Sequence, residues 1–166
     1  MVLTKSELIG SLKHEVRILQ HLAGKVDRAT IDYRPTPKQR STLELLQYLT
    51  IMGPELIKAA QAGGFKPEEF SAAQKAAAAR DFDQTVAAIG QQLDTYPALL
   101  GTMSDADFRT EIEMFGQKYS RGAFINSLVL CGHAAYRMQL FLYLKACGRD
   151  ELTTMNLWAG VDPPKS

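Results

Sequence analysis

Apolar positions recur at three- and four-residue intervals in four long stretches, and polar capping pairs precede three of them. Thr4 and Glu7 form a T-x-x-E box, followed by Leu8, Ile9, Leu12, Val16, Leu19 and Ala23, with Gly24 as a stop. Ser41 and Glu44 form a second box ahead of Leu45, Tyr48, Leu49, Met52 and Leu56. Gly53-Pro54 interrupts that pattern and predicts a kink or a local restart, since proline lacks the backbone donor; Gly63-Gly64 ends the element. Asp81 and Gln84 cap a third helix on the seam Phe82, Val86, Ile89, Leu93 and Tyr96, with Pro97 weakening its far end. The fourth helix runs from about Ser120 to Ala146 and ends at Gly148.

The connections read differently. Residues 27–38 carry Pro35 and Pro37 and predict a loop. A short helical piece capped by Ser71, with Gln74 three residues on, precedes the third helix. Ser104 to Asp107 reads as a turn or a short helical start. Phe108, Thr110, Ile112 and Met114 then alternate with charged residues, the period of an extended segment packed on one side, until Gly116 breaks it. The tail from Leu152 to Ser166 reads as irregular chain anchored by Trp158. The predicted fold is therefore all-α: an antiparallel four-helix bundle with a short extended connection before the last helix, in one domain over residues 1–166.

The fourth helix carries two apolar faces. One is Phe124, Leu128, Cys131, Ala135, Met138 and Leu142; the other is Ile125, Val129, Gly132, Tyr136, Leu140 and Leu144. One face serves the bundle core, and the other predicts a homodimer interface or a surface covered by the C-terminal tail.

Charge narrows the function classes. Nineteen basic against eighteen acidic residues leave a net charge of +1, so no basic excess points to nucleic acid. There is no run of apolar residues long enough for a membrane span, and the N-terminal residues lack a signal-peptide pattern, so a cytoplasmic location is expected. Cys131 and Cys147 fall roughly 24 Å apart along one helix, which excludes a bond within that helix and predicts two reduced, partly buried thiols.

Phosphate-binding glycine loops, zinc-binding H-E-x-x-H or C-x-x-C spacings and the G-x-S-x-G nucleophile turn do not occur. His14 and His21 stand two turns apart on a polar face, a poor spacing for a shared ion. His133 lies about opposite the Phe124 stripe, where a structural or interface role and a pocket role are both open. Glu15 shares the inward side of the first helix with Leu8 and Leu19, and a buried carboxylate needs a partner or an open pocket. Tyr48 and Tyr136 lie on inward or flanking positions. Packed phenols are one reading; the other is that Glu15, Tyr48, His133 and Tyr136 line one small-molecule pocket.

Two segments resemble a known superfamily. Arg40-Ser41-Thr42-Leu43-Glu44-Leu45-Leu46-Gln47-Tyr48-Leu49 resembles the R-S-x-x-E-L-L-x-H-L stretch of DinB-like proteins. Gly132-His133-Ala134-Ala135-Tyr136-Arg137-Met138-Gln139-Leu140, continuing through Tyr143-Leu144 to Gly148, resembles their H-x-x-x-H-R-x-Q-L…Y-L…G stretch. The resemblance implies a four-helix bundle, often dimeric, and a nickel or zinc ion held by three histidines. Some such proteins are thiol-dependent transferases. The ligand positions here hold Tyr48, Gly132 and Tyr136, and His133 is one residue out of place, a turn of about 100° around the helix. A binding or interaction module without the metal is the expectation, with a metal- or thiol-dependent transferase or hydrolase as the alternative. Arg137 and Gln139 match the motif and are expected to tie the last helix to its neighbours.

Overall fold

The computed structural model describes residues 3–164. Four long helices make the bundle: α1 (Lys5–Ala23), α2 (Thr42–Ala62), α4 (Phe82–Gly101) and the run that ends in α7 (Cys131–Ala146). Both α1 and α2 pack against α4 and α7, closing a ring around one core of leucine, isoleucine and valine that includes Leu12, Leu19, Leu49, Ile89 and Val129. The capping boxes at Thr4, Ser41 and Asp81 all form, each satisfying donors that the first turn leaves unpaired.

Several expectations need correction. The helix of α2 continues through Gly53-Pro54 without a break. Helix α3 (Pro67–Ala78) starts at Pro67, where the missing donor of proline costs nothing, so Ser71 is inside the helix and caps nothing. Helix α4 continues past Pro97 to Gly101. Its inward row takes in Thr85 and Gln92, while Val86 and Leu93 lie at the edge of the core.

Phe108 belongs to a short helix, α5 (Asp105–Arg109). The extended segment is β1 (Glu111–Met114), which buries Ile112 and Met114 and pairs antiparallel with β2 (Gln117–Ser120). Phe115 and Gly116 both take positive φ at the tight turn between them, 54° and 75°.

The last long helix is continuous from α6 (Arg121–Phe124) through a π-helical segment (Ile125–Leu130) into α7. A π turn spans five residues per hydrogen bond instead of four, so it resets the phase of everything beyond it. Phe124 and Ile125 are therefore both buried, and Val129, His133, Arg137, Leu140 and Leu144 continue the inward row. The stripe that helical spacing joins to Phe124 turns outward: Cys131, Ala135, Met138 and Leu142 are exposed. Both cysteines are free; Cys147 is partly buried as expected, and Cys131 is exposed.

The tail is not wholly irregular, because α8 (Thr154–Trp158) closes it against α1 and α7. Its anchors are Leu157 and Asn156, at 5% and 1% exposure, while Trp158 remains 62% exposed. Among the described residues, no helix is long and apolar enough to cross a membrane.

Candidate functional site

Helix α2 presents Tyr48 toward α7, and α7 presents Tyr136 in return. The two rings meet edge-on with centroids 5.3 Å apart. Both are half-buried and join the rim of the core. The Arg40 guanidinium, just ahead of the Ser41 cap, lies 3.9 Å above the Tyr48 ring, and Phe70 of α3 packs edge-on at 6.5 Å. No hydrogen bond occupies the Arg40 guanidinium among the described residues. Burial pushes the Tyr48 hydroxyl up to about 12, with the neighbouring Tyr136 phenol adding to the shift and Arg40 opposing it. At neutral pH the phenol is a neutral donor and acceptor.

A cavity of about 230 Å³ opens beside this ring, lined by Arg40, Glu44, Gln47, Tyr48, Gln74 and the alanines of α3. Gln47 is held by its amide, which donates to the carbonyl oxygen of Arg80 at 2.8 Å. Glu44 is held by the Ser41 backbone at 2.7 Å and by Arg34 at 3.2 Å. The rim is therefore fixed, except for the free face of Arg40. On the α7 side, Gly132 stands against Met52: a Cβ there would meet the methionine methyl at 3.3 Å, so this position is already filled by an apolar side chain.

The other two expected pocket residues find their partners elsewhere. His133 is fully buried, and its Nε2 lies 2.5 Å from the Tyr96 hydroxyl. Tyr96 donates to Gln92 Oε1 at 2.6 Å, and the Gln92 amide donates to the Leu49 carbonyl at 2.9 Å. Because that amide fixes the orientation of Gln92, the Tyr96 proton is committed to Gln92. The imidazole must then donate Nε2–H to the Tyr96 oxygen, which leaves Nδ1 a buried acceptor without a partner. Burial lowers the His133 pKa to about 4, so the ring is neutral. Gly53 makes this possible: a Cβ on it would overlap the Tyr96 hydroxyl and come within 3.0 Å of His133 Nε2. The glycine that reads as a helix break in the sequence is a packing requirement.

Glu15 does have the partner its position demands. Arg137 of α7 donates to Glu15 Oε1 at 2.9 Å, with both side chains at or below 10% exposure. Glu15 Oε2 and Arg137 Nε remain unpaired in the interior, and Trp158 covers the guanidinium at 4.8 Å. Burial raises the Glu15 pKa, partly offset by Arg137 and then His14. The second motif residue, Gln139, donates to the Tyr143 hydroxyl, which donates to the Arg40 carbonyl at 3.0 Å. So Arg137 and Gln139 do tie the last helix to α1 and to the start of α2.

Of the four expected residues, only Tyr48 and Tyr136 are in contact. No local spacing marks Arg40, because it lies before the Ser41 cap and the helix that follows. Gln92 had a signal, its place three and four residues from Ile89 and Tyr96. Among the described residues, no group of three or more histidine, cysteine, aspartate or glutamate side chains is arranged to hold a metal ion.

The fold has a counterpart among solved structures. The crystal structure of a DinB-like protein, YjoA from Bacillus subtilis, aligns with a TM-score of 0.68 over 88% of this chain and 94% of that one, at 16% identity. The chain therefore has the DinB-like all-helical fold. No protein-family model matches the sequence, and no curated protein sequence matches it.

Proposed function

We propose that this DinB-like fold serves as a metal-independent binding protein for a small planar carboxylate, taken up beside Tyr48. The observation that carries the reading is the unpaired guanidinium of Arg40 stacked on Tyr48 at the mouth of the cavity. A volume of about 230 Å³ falls below the ~300–1,000 Å³ usual for drug-sized ligands, which fits a molecule of about one ring. Arg40 offers the bidentate donors that a carboxylate accepts, and Tyr48 offers its ring to a planar body.

The residues at the resemblance's three ligand positions do not fit zinc or nickel. Tyr48 and Tyr136 are phenols, and a hydroxyl pushed up to about 12 is a weak ligand for these ions. Gly132 has no donor and faces a methionine. His133 spends its Nε2 on Tyr96 in the interior.

Ligand-observed NMR with benzoate tests the proposal, with benzamide and toluene as comparison probes. The expected result is a signal for benzoate that weakens for benzamide, is absent for toluene and is lost in Arg40→Gln at unchanged Tm. Benzoate binding that persists in Arg40→Gln, or no binding at millimolar benzoate, overturns it.

A further inference from the structure

Where the start of α1 meets α5 and the start of the last long helix, the structure leaves a second cavity, of about 650 Å³. That volume lies inside the ~300–1,000 Å³ range of small-molecule sites. None of its lining residues is shared with the cavity beside Tyr48. Leu3, Leu8 and Phe108 make an apolar wall, and Leu8 and Phe108 are core side chains at 5% and 8% exposure. The wall is held in shape at Gly122. A Cβ there would come within 3.2 Å of the Phe108 carbonyl oxygen and 3.4 Å of its ring, so α5 rests directly on the backbone of the last helix.

The polar part of the lining has one sign of charge: it contains Lys5 and Arg109 and no carboxylate. Most of these groups are committed. The Lys5 ammonium donates to the carbonyl oxygens of Gly101 at 3.1 Å and Met103 at 2.9 Å. The Ser120 hydroxyl accepts from the Ala123 N–H at 3.2 Å. The Thr4 hydroxyl donates to the Glu7 carboxylate at 2.7 Å, and the Thr4 N–H occupies the same carboxylate oxygen. Arg109 at the end of α5 and Asn126 in the π-helical segment are the two polar lining side chains without a hydrogen-bond partner among the described residues. Asn126 stands four residues past Gly122 on the cavity-lining side, and π segments recur where a helix serves a site.

We propose that this cavity takes a medium-chain fatty carboxylate, with its head group on Arg109 and Asn126 and its tail along Leu3, Leu8 and Phe108. The guanidinium presents parallel donors that match the two carboxylate oxygens, and the Asn126 amide adds a further donor. The side chains of the apolar wall offer a tail no hydrogen bond, so each methylene buried against them adds to binding. The site stands independently of the Tyr48 cavity, which has its own arginine.

Isothermal titration calorimetry of the full chain with octanoate tests the proposal, with butyrate and 1-octanol as comparison probes. The expected result is one octanoate per chain, with butyrate and 1-octanol each weaker by about tenfold or more, because each lacks half of the recognised structure. Arg109 is exposed, so Arg109→Gln should weaken octanoate by about tenfold or more at unchanged Tm. Ala123 is exposed in the first turn of the last long helix, and Ala123→Trp should block the cavity, again at unchanged Tm. Arg40→Gln should leave octanoate binding at its wild-type strength, which separates this site from the one beside Tyr48. No binding at millimolar octanoate, equal binding of butyrate or 1-octanol, or binding that survives Arg109→Gln or Ala123→Trp overturns the proposal, and so does loss of octanoate binding in Arg40→Gln.

Discussion

Two tyrosine clusters meet α7 less than one helical turn apart, and they are built on opposite terms. Tyr96 is sealed: its hydroxyl is shared between Gln92 and His133, and no part of it reaches solvent. Tyr48 is at the rim, in contact with Tyr136 and Arg40 but with a cavity beside it. His133 and Tyr136 are three residues apart, yet one belongs to the interior and the other to the rim. A polar group with every neighbour in place contributes to stability and specificity of packing; one left beside open volume is available to a ligand. Position in the resemblance's motif does not separate the two clusters, because His133 is the only imidazole on α7 and it is the one shut away.

The sharpest way to break this contrast is Gly53→Ala. In an ordinary helix interior that change stabilises by up to about 1 kcal/mol. Here the new methyl displaces Tyr96, so overpacking and a lost hydrogen-bond chain combine, and urea unfolding should show a loss of about 4 kcal/mol. Tyr96→Phe is the next largest. It leaves Gln92 Oε1 and His133 Nε2–H unpaired in the interior, and a loss of about 3 kcal/mol is expected.

Acid should act on the sealed cluster as well. The folded-state pKa of His133 is lowered from 6.5 to about 4, so the unfolded chain binds the extra proton first. The stabilisation is full above pH 6.5 and falls away as pH drops through 4, by up to about 3 kcal/mol. Glu15 works in the opposite sense, since its raised pKa makes the ionised form the costly one in the fold. Urea midpoints from pH 7 to pH 4 for wild type against His133→Gln isolate the histidine contribution; parallel curves would sink it. The smallest effect belongs to the rim: Tyr48→Phe should cost about 1 kcal/mol or less, because Tyr48 is only half-buried. A loss as large as that of Tyr96→Phe would erase the distinction between the clusters.

What the amino-acid pattern made legible was local. The boxes at Thr4, Ser41 and Asp81 start their helices where expected, because caps are decided within four residues. Ser71 fails as a cap for an equally local reason, the earlier and stronger start at Pro67. Strand β2 escaped notice because Gln117, Lys118, Tyr119 and Ser120 show no apolar alternation. The π segment was not legible either, and its phase shift is why the stripe beyond Phe124 faces outward. At the site, Tyr48 and Tyr136 are in edge contact. Glu15 demanded a partner, but Arg137 is 122 positions away, and only the packing of α1 on α7 joins them. The spacing places His133 about opposite the Phe124 stripe and leaves its role open; that Tyr96 of a third helix fills its Nε2 depends on the space left at Gly53.

The most direct test of a metal-independent site is the metal content of protein purified without a chelating tag, measured by elemental mass spectrometry. Two phenols and a glycine at the three positions predict no stoichiometric zinc or nickel, with the fold intact. One equivalent of either metal per chain, lost on Tyr48→Phe or Tyr136→Phe, would contradict that and return the α2–α7 face to metal chemistry.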